Sequence, residues 1–139
     1  MAVSSVWNRL SVLEKVVDVL REVTPEPHGH HLGRPYATAY QLAIALHTRY
    51  PEVAHELGFE IGGTHTGRHN SLAQYLGQQL STRIARDGEA SAIEGAFLSS
   101  DHMTTLEFVD AHGGHHASSL IDSGFPLTMF RLRRVEARP

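Results

Sequence analysis

The residues best suited to chemistry form one stretch, Ile61-Gly-Gly-Thr-His-Thr-Gly-Arg-His-Asn-Ser71, ahead of a helical pattern that begins at Leu72. A helix N-terminus presents free backbone amides and the positive end of the helix dipole, and glycines allow an anion to approach them closely. Arg68 and His69 lie just before this terminus, where their side chains can reach a phosphate. Asn70 is of a type that caps helices and is the predicted N-cap. The stretch therefore predicts an anion site, with a nucleic-acid backbone as the candidate anion.

A nucleotide phosphate loop explains the same glycines less well. Gly62 and Gly67 have the required spacing, but Arg68 and His69 stand where such a loop carries Lys and then Ser or Thr. A phosphate loop also follows a buried strand, whereas residues 51–57 have the pattern of a short helix. We therefore expect neither a bound nucleotide nor another cofactor.

The helical pattern over residues 72–86 places polar side chains opposite its leucines. Glutamine can pair bidentately with adenine in the major groove, which makes Gln74 and Gln78 candidates for base contacts. Arginine binds phosphate through its planar fork, which makes Arg83 and Arg86 candidates for backbone contacts. The predicted nucleic-acid-binding residues are Arg68, His69 and Asn70 ahead of the helix, then Ser71, Gln74 and Gln78 at the bases, and Arg83 and Arg86 at the phosphates.

The charges along the chain are distributed unevenly. Residues 28–86 hold five arginines against three glutamates, residues 87–126 hold seven acids and no Lys or Arg, and residues 127–139 hold four arginines against one acid. Because the formal net charge is −3, uniform attraction to a polyanion is weak, and only a local basic face remains open. Arg131, Arg133 and Arg134 add phosphate contacts to that face if they lie on the same side as the helix.

The histidines raise the alternative of a metal site, since the chain contains eleven of them. Two clusters occur in glycine-rich segments, at residues 28–31 and at residues 112–116. Imidazole suits zinc, nickel or copper, and three ligands with an open position make a catalytic site. Neither cluster contains the H-E-x-x-H motif that a metalloprotease carries on a helix. The candidate metal ligands are His112, His115 and His116.

The composition bounds the class of protein. A chain of 139 residues suits one domain, 41% of it is apolar, and it contains no cysteine for a disulfide or a thiolate metal site. No run approaches the roughly 18 apolar residues of a membrane span, and the first residues lack a signal-peptide layout, so a cytoplasmic location without membrane contact is expected. The absence of a G-x-S-x-G nucleophile motif makes an enzyme the less expected outcome.

The elements that must position these residues follow from periodicity and caps. A first helix is predicted over residues 4–23, and its wide apolar arc makes it a candidate dimerisation helix. Thr38-Ala-Tyr-Gln41 matches a capping box, and Pro51 and Gly58 fit the ends of a short helix. Strands are predicted over residues 92–98 and 104–109, joined as a hairpin by residues 99–103, and a final strand over 127–134. Residues 111–118 are predicted to be a loop.

This order of elements resembles the winged helix-turn-helix superfamily over residues 4–110. Thr38-Ala-Tyr-Gln-Leu-Ala-Ile-Ala-Leu46 corresponds to the supporting helix, and Ser71-Leu-Ala-Gln-Tyr-Leu-Gly-Gln-Gln-Leu80 to the recognition helix. Ile93-Glu-Gly-Ala-Phe-Leu98 and Thr105-Leu-Glu-Phe-Val109 correspond to the wing. The resemblance implies an α+β domain, winged-helix-like, with three to four helices followed by a β-hairpin and a C-terminal strand.

The function expected from the resemblance is DNA binding, by a homodimeric regulator or accessory protein. A protein-interaction module on the same fold, without nucleic-acid binding, is the first alternative, and the acidic segment over residues 87–126 favours it. A metalloprotein that uses its histidine loops is the second alternative. These three functions require different surfaces, so the arrangement of the side chains discriminates among them.

Overall fold

A computed structural model describes residues 7–23, 31–58, 61, 71–99, 101–103, 106–118 and 127–133. The helices are α1 (Val12–Arg21), α2 (Ala39–Arg49), α3 (Glu52–Leu57) and α4 (Leu72–Asp87), and a 3-10 turn, Gly88–Ala90, follows α4. The strands are β1 (Ala37–Thr38), β2 (Ile93–Leu98), β3 (Leu106–Val109), β4 (His115–Ser118) and β5 (Leu127–Leu132). The predicted α+β class is thereby confirmed. Within these ranges, every helix is too short or too polar to span a lipid bilayer.

The N-terminal helical region is interrupted, which corrects the prediction of one continuous helix over residues 4–23. Residues 7–9 are helical, a turn follows, and Ser11 has a φ of 53° in the left-handed region before α1 begins. A residue in this conformation cannot continue a right-handed helix. At the other end of α1, Arg34 donates hydrogen bonds to the carbonyl oxygens of Arg21 (3.2 Å) and Val23 (3.0 Å). It thus satisfies acceptors that the end of a helix leaves free.

The apolar stripe of α1 is buried within this chain. Val12, Val16 and Leu20 are at most 1% exposed, and α1 packs mainly against α2, with further contacts to β5. Leu13, which is 38% exposed, lies outside the core. The width of the predicted apolar arc therefore reflects burial among the chain's own elements to a large extent.

The caps of α2 and α3 follow the sequence closely. Thr38 Oγ1 accepts from the Gln41 amide (3.1 Å), and Gln41 Oε1 accepts from the Thr38 amide (2.8 Å), which confirms the capping box. Pro51 lies immediately before α3, and Gly58 ends it with a φ of 73°. A side chain would be strained at that dihedral angle, which glycine adopts readily.

The main sheet contains three antiparallel strands in the order β1-β5-β2. The register pairs Ala37 with Phe130 and Gly95 with Phe130, so that β5 lies between the other two strands. The Phe130 side chain is 1% exposed, and Ile93 beside it is 2% exposed. The C-terminal strand, predicted as the last element, is thus the central strand of the sheet.

The predicted hairpin between residues 92–98 and 104–109 is wrong. β2 pairs with β5, whereas β3 pairs with β4 in a separate two-stranded sheet. The predicted loop over residues 111–118 is therefore half strand, because β4 begins at His115. The β3–β4 hairpin contacts the helical layer through Phe108, whose ring stacks on that of Tyr40 with centroids 5.3 Å apart and planes 6° from parallel.

Candidate nucleic-acid interface

The start of α4 is capped by Ser71, which corrects the prediction of Asn70 as the N-cap. Ser71 Oγ accepts from the Gln74 amide (3.2 Å), and the side chain is among the most buried, with the residue 2% exposed. The Ala73 amide donates to the carbonyl of Ile61 (2.9 Å). Two amides that an anion would use at this terminus are thus occupied within the chain. Arg68, His69 and Asn70 lie outside the described residues.

The inner face of α4 builds the core. Leu72 and Leu76 are 0% exposed, and Leu80 is 1% exposed. Gly77 allows a close approach to the sheet, because a Cβ atom at this position would lie 3.1 Å from Thr128 Oγ1 on β5. The helix is therefore held with one face against the sheet and against α2, and only the opposite face is available to a ligand.

Ahead of Arg86 and Asp87, which end the helix, that opposite face carries no charge. At 100° per residue, positions three and four apart share one side of a helix, and the exposed side of α4 follows this rule. Gln78, Ser81, Thr82 and Ala85 are exposed, and Gln74 is partly exposed. We call these five residues the outward face of α4. Its amides and hydroxyls can donate and accept hydrogen bonds in the way that base edges require.

Of the two arginines of α4, Arg83 lies beside the outward face, whereas Arg86 is exposed at the C-terminal end of the helix, four residues after Thr82. The Arg83 guanidinium is 4.4 Å from the ring centroid of Trp7 and donates to Gln79 Oε1 (3.0 Å). Arg86 donates to both carboxylate oxygens of Asp87 (2.9 and 3.2 Å). This hydrogen bond lowers the pKa of Asp87 and raises that of Arg86. Arg86 is exposed and can exchange Asp87 for a phosphate, whereas Arg83 has a packing role.

The C-terminal arginines within the described part of the chain have structural roles. Arg131 donates to Glu94 Oε2 (2.8 Å) and to the carbonyls of Leu32 (2.7 Å) and Arg34 (2.9 Å), and its guanidinium lies 4.4 Å from the ring centroid of Tyr36. Arg133 donates to two carbonyls near the end of α4. Their donors are committed to holding the 31–36 segment and the 3-10 turn, so we exclude both from the phosphate contacts. Arg134 lies outside the described residues.

The candidate metal ligands do not converge on a common point. Nε2 of His116 lies 2.9 Å from Asp110 Oδ2, and Nδ1 of the same ring is buried without a hydrogen-bond partner in the described structure. His112 and His115 are exposed, and His115 follows the opposite face of β4 from His116. Among the residues that the structure describes, no group of three or more metal-binding side chains is placed to hold an ion.

Asp110 instead organises the β3–β4 turn. Its Oδ1 accepts from the amides of His112 (2.9 Å) and Gly114 (2.8 Å), while Oδ2 faces His116. The hydrogen bond from His116 and those from the two amides lower the pKa of Asp110 to about 2. A Cβ atom at Gly114 would lie 2.6 Å from Oδ2, so a larger residue there would force the Asp110 carboxylate out of its present position. The aspartate is thus a structural group that favours its charged form.

We expect Asp110→Asn to destabilise the β3–β4 hairpin at neutral pH and to lose this effect in acid. The folded-state pKa of about 2 lies below the usual 3.8, so the stabilisation is complete above the unfolded-state pKa and disappears as the pH falls from about 5 towards 2. Urea unfolding of the wild type and the variant at several pH values measures the difference. An identical difference at pH 7 and pH 2.5 contradicts this assignment of Asp110.

Comparison of the sequence with protein-family models and with curated proteins finds no match, and comparison of the fold with solved structures finds none either. The function therefore has to be inferred from the geometry of this chain alone.

Proposed function

We propose that the chain is a winged-helix DNA-binding domain, of a regulatory or accessory protein, which places the outward face of α4 in the major groove of duplex DNA. The main observation in its favour is that α4 exposes polar side chains on one side only. Gln78, Ser81 and Thr82 are exposed on a helix whose opposite side is fully buried. A rigidly held helix that presents hydrogen-bonding side chains on one side is what direct readout of base edges requires.

The sheet order supports the winged-helix assignment. The winged-helix order has a short extended piece ahead of the second helix and a β-hairpin after the last helix. Here β1 runs directly into α2 and pairs with β5, and β5 pairs with β2, which follows α4. On this proposal the segment between β2 and β5, which contains the β3–β4 hairpin, is an enlarged wing.

The dimensions of α4 suit the groove. A helix of 16 residues is about 24 Å long, and the major groove is about 12 Å wide. Gln74 and Gln78 are four residues apart, which corresponds to about 6 Å along the helix axis. Both side chains can therefore reach bases of neighbouring pairs from one docked position.

Phosphate contacts in this proposal come from the flanks of α4. Arg68, His69 and Asn70 remain predictions for the backbone contacts ahead of the helix, and Arg86 joins them at its end. Ser71 and Arg83 are left out, because Ser71 caps the helix and Arg83 stacks on Trp7. A homodimer also remains a proposal, and its two copies of α4 would contact two half-sites about one helical turn of DNA apart.

A protein-interaction module on the same fold is the second candidate function. The observation that favours it is the composition of the outward face, whose five residues carry no positive charge for a polyanion. A protein partner would bind such a surface without any dependence on phosphate, so its binding would respond weakly to salt.

Fluorescence anisotropy with a mixed-sequence duplex, measured across salt concentrations, tests the proposed function. We expect the logarithm of the association constant to fall linearly with the logarithm of salt, because each phosphate contact releases condensed counterions. We also expect two chains per duplex at saturation. Absence of binding at low salt, or an affinity that does not change with salt, contradicts the proposal and favours the protein-interaction module.

A further inference from the structure

The outward face of α4 contains adenine-binding side chains but no guanine-binding ones. Glutamine pairs bidentately with adenine N6 and N7, whereas Arg and Lys make the commonest specific contacts with guanine O6 and N7. α4 is described from end to end; its Arg83 is engaged with Trp7, and its Arg86 lies eight residues after Gln78, about 12 Å along the helix axis, where it is assigned to a phosphate. Within α4, the side chains aimed outward are therefore suited to A·T pairs.

An exposed aromatic side chain lies on the side of the main sheet that α4 covers. Phe97, on β2, is 68% exposed although it belongs to a strand of the main sheet. It pairs in register with Thr128, and cross-strand partners project from the same side of a sheet. Thr128 is the residue whose hydroxyl lies against Gly77 of α4. Phe97 consequently projects on the α4 side of the sheet, one strand away from the contact between α4 and β5.

Folding does not account for the exposure of Phe97. Gly95, two residues earlier on the same side of β2, lies against Ile84 of α4 and Phe130, and Ile93 is 2% exposed. α4 thus covers β2 at Ile93 and Gly95 but does not cover it at Phe97. A phenyl group that is exposed beside the part of the sheet covered by α4 can make apolar contact with the C5 methyl group of thymine, a recognised base contact in the major groove.

We propose that this surface selects duplex DNA containing consecutive A·T pairs, with Gln74 and Gln78 bound to adenines and Phe97 packed on a thymine methyl group. This inference depends on the proposed function, since it names the class of DNA sequence that the same helix recognises. Phe97 is a specificity-determining residue in it, and the two glutamines supply the preference for adenine.

Three duplexes of equal length and charge test the inference. They carry a central A·T block, a central G·C block, and the same A·T block with uracil in place of thymine, which removes only the methyl groups. We expect the wild type to bind the A·T duplex at least about tenfold more tightly than the G·C duplex. We expect uracil to weaken binding about fourfold for each methyl group that Phe97 would otherwise bury.

The variant Phe97→Ala identifies the side chain responsible. It should bind the thymine and uracil duplexes equally while keeping the preference for A·T over G·C. Equal binding of thymine and uracil by the wild type overturns the inference, as does an undiminished thymine preference in Phe97→Ala, which would assign that preference to DNA shape. Binding of all three duplexes with one affinity refutes the inference and leaves the proposed function standing, whereas binding of none refutes both.

Discussion

Changing Gln74 and Gln78 together to glutamate is expected to lower the affinity for duplex DNA by at least about 100-fold. Each bidentate contact with a base contributes about 1–3 kcal/mol, and a carboxylate cannot donate the hydrogen bond that adenine N7 accepts. The two new negative charges also face the phosphates across the groove. Both effects act on the same surface, so this variant gives the largest loss of binding that the proposal predicts.

The same double variant is expected to fold normally. Gln78 is exposed and Gln74 is partly exposed, and neither fills the core. Glutamate at position 74 is moreover favourable in the first turn of a helix that a serine caps. Urea unfolding should give a free energy of unfolding within about 0.5 kcal/mol of the wild type, or slightly above it.

A matched control separates the site from the general effect of added charge. Asn8→Asp makes the same change from amide to carboxylate at an exposed residue on the N-terminal helical turn. It should weaken binding much less than the single variant Gln78→Glu, since on the proposal Asn8 contacts no base. Equal losses of affinity in the two single variants would mean that the outward face of α4 is not the DNA-binding surface.

The second large effect concerns stability. Phe130→Ala should lower the free energy of unfolding by about 3–5 kcal/mol, the range for truncation of a buried aromatic side chain. Phe130 is 1% exposed on the central strand, and a Cβ atom at Gly95 opposite would lie 3.5 Å from its ring. The ring therefore fills space that its cross-strand neighbour leaves open, and a cavity would remain after truncation.

Phe97→Ala is the control for this measurement, because it makes the identical change on the adjacent strand. Phe97 is 68% exposed, and its truncation should change the free energy of unfolding by no more than about 0.5 kcal/mol. Similar costs for the two variants, read from urea unfolding with unchanged m-values, would contradict the assignment of β5 as the central core strand. A negligible cost for Phe97→Ala would also show that this ring does not contribute to the stability of the fold.

Local signals in the sequence predicted local structure well. The capping box at Thr38 and Gln41 involves residues three apart in sequence. The end of α3 depends on the positive φ of a single residue, Gly58. Helix boundaries were predicted within a few residues where such caps occur. The interruption at Ser11 was not predicted, since serine has no sequence signature for a left-handed conformation within an apolar repeat.

Strand pairing was predicted less well because it is not local. Residues 93–98 and 106–109 are neighbours in sequence and both alternate, so a hairpin is the expected connection. β5 supplies Leu127 and Phe130, which are buried, and thus offers β2 a partner that completes the core. β3 has no such buried residues and pairs with β4, whose His-His-Ala-Ser sequence gave no strand pattern.

In the candidate site, too, local periodicity was predicted well and contacts between distant residues were not. Helical periodicity placed Gln74 and Gln78 on the outward face, and the same rhythm extends in the structure to Thr82 and Ala85. The roles of the arginines could not be predicted in this way, because their partners are far away in the sequence or lie beside the helix face. Arg83 stacks on Trp7, and Arg131 binds Glu94 and the 31–36 segment. Phe97 was assigned only to a strand, since its position beside α4 depends on the pairing of β2 with β5.

The most direct test of the central claim follows the side-chain amides of the glutamines by NMR while duplex DNA is added. The chain contains four glutamines, at positions 41, 74, 78 and 79. Gln41 is held in the capping box and Gln79 accepts from Arg83, so both serve as internal references. We predict that the NH₂ signals of Gln74 and Gln78 shift on binding while those of Gln41 and Gln79 stay in place. Unchanged signals from Gln74 and Gln78 in a DNA-saturated sample would contradict the claim that the outward face of α4 contacts the bases.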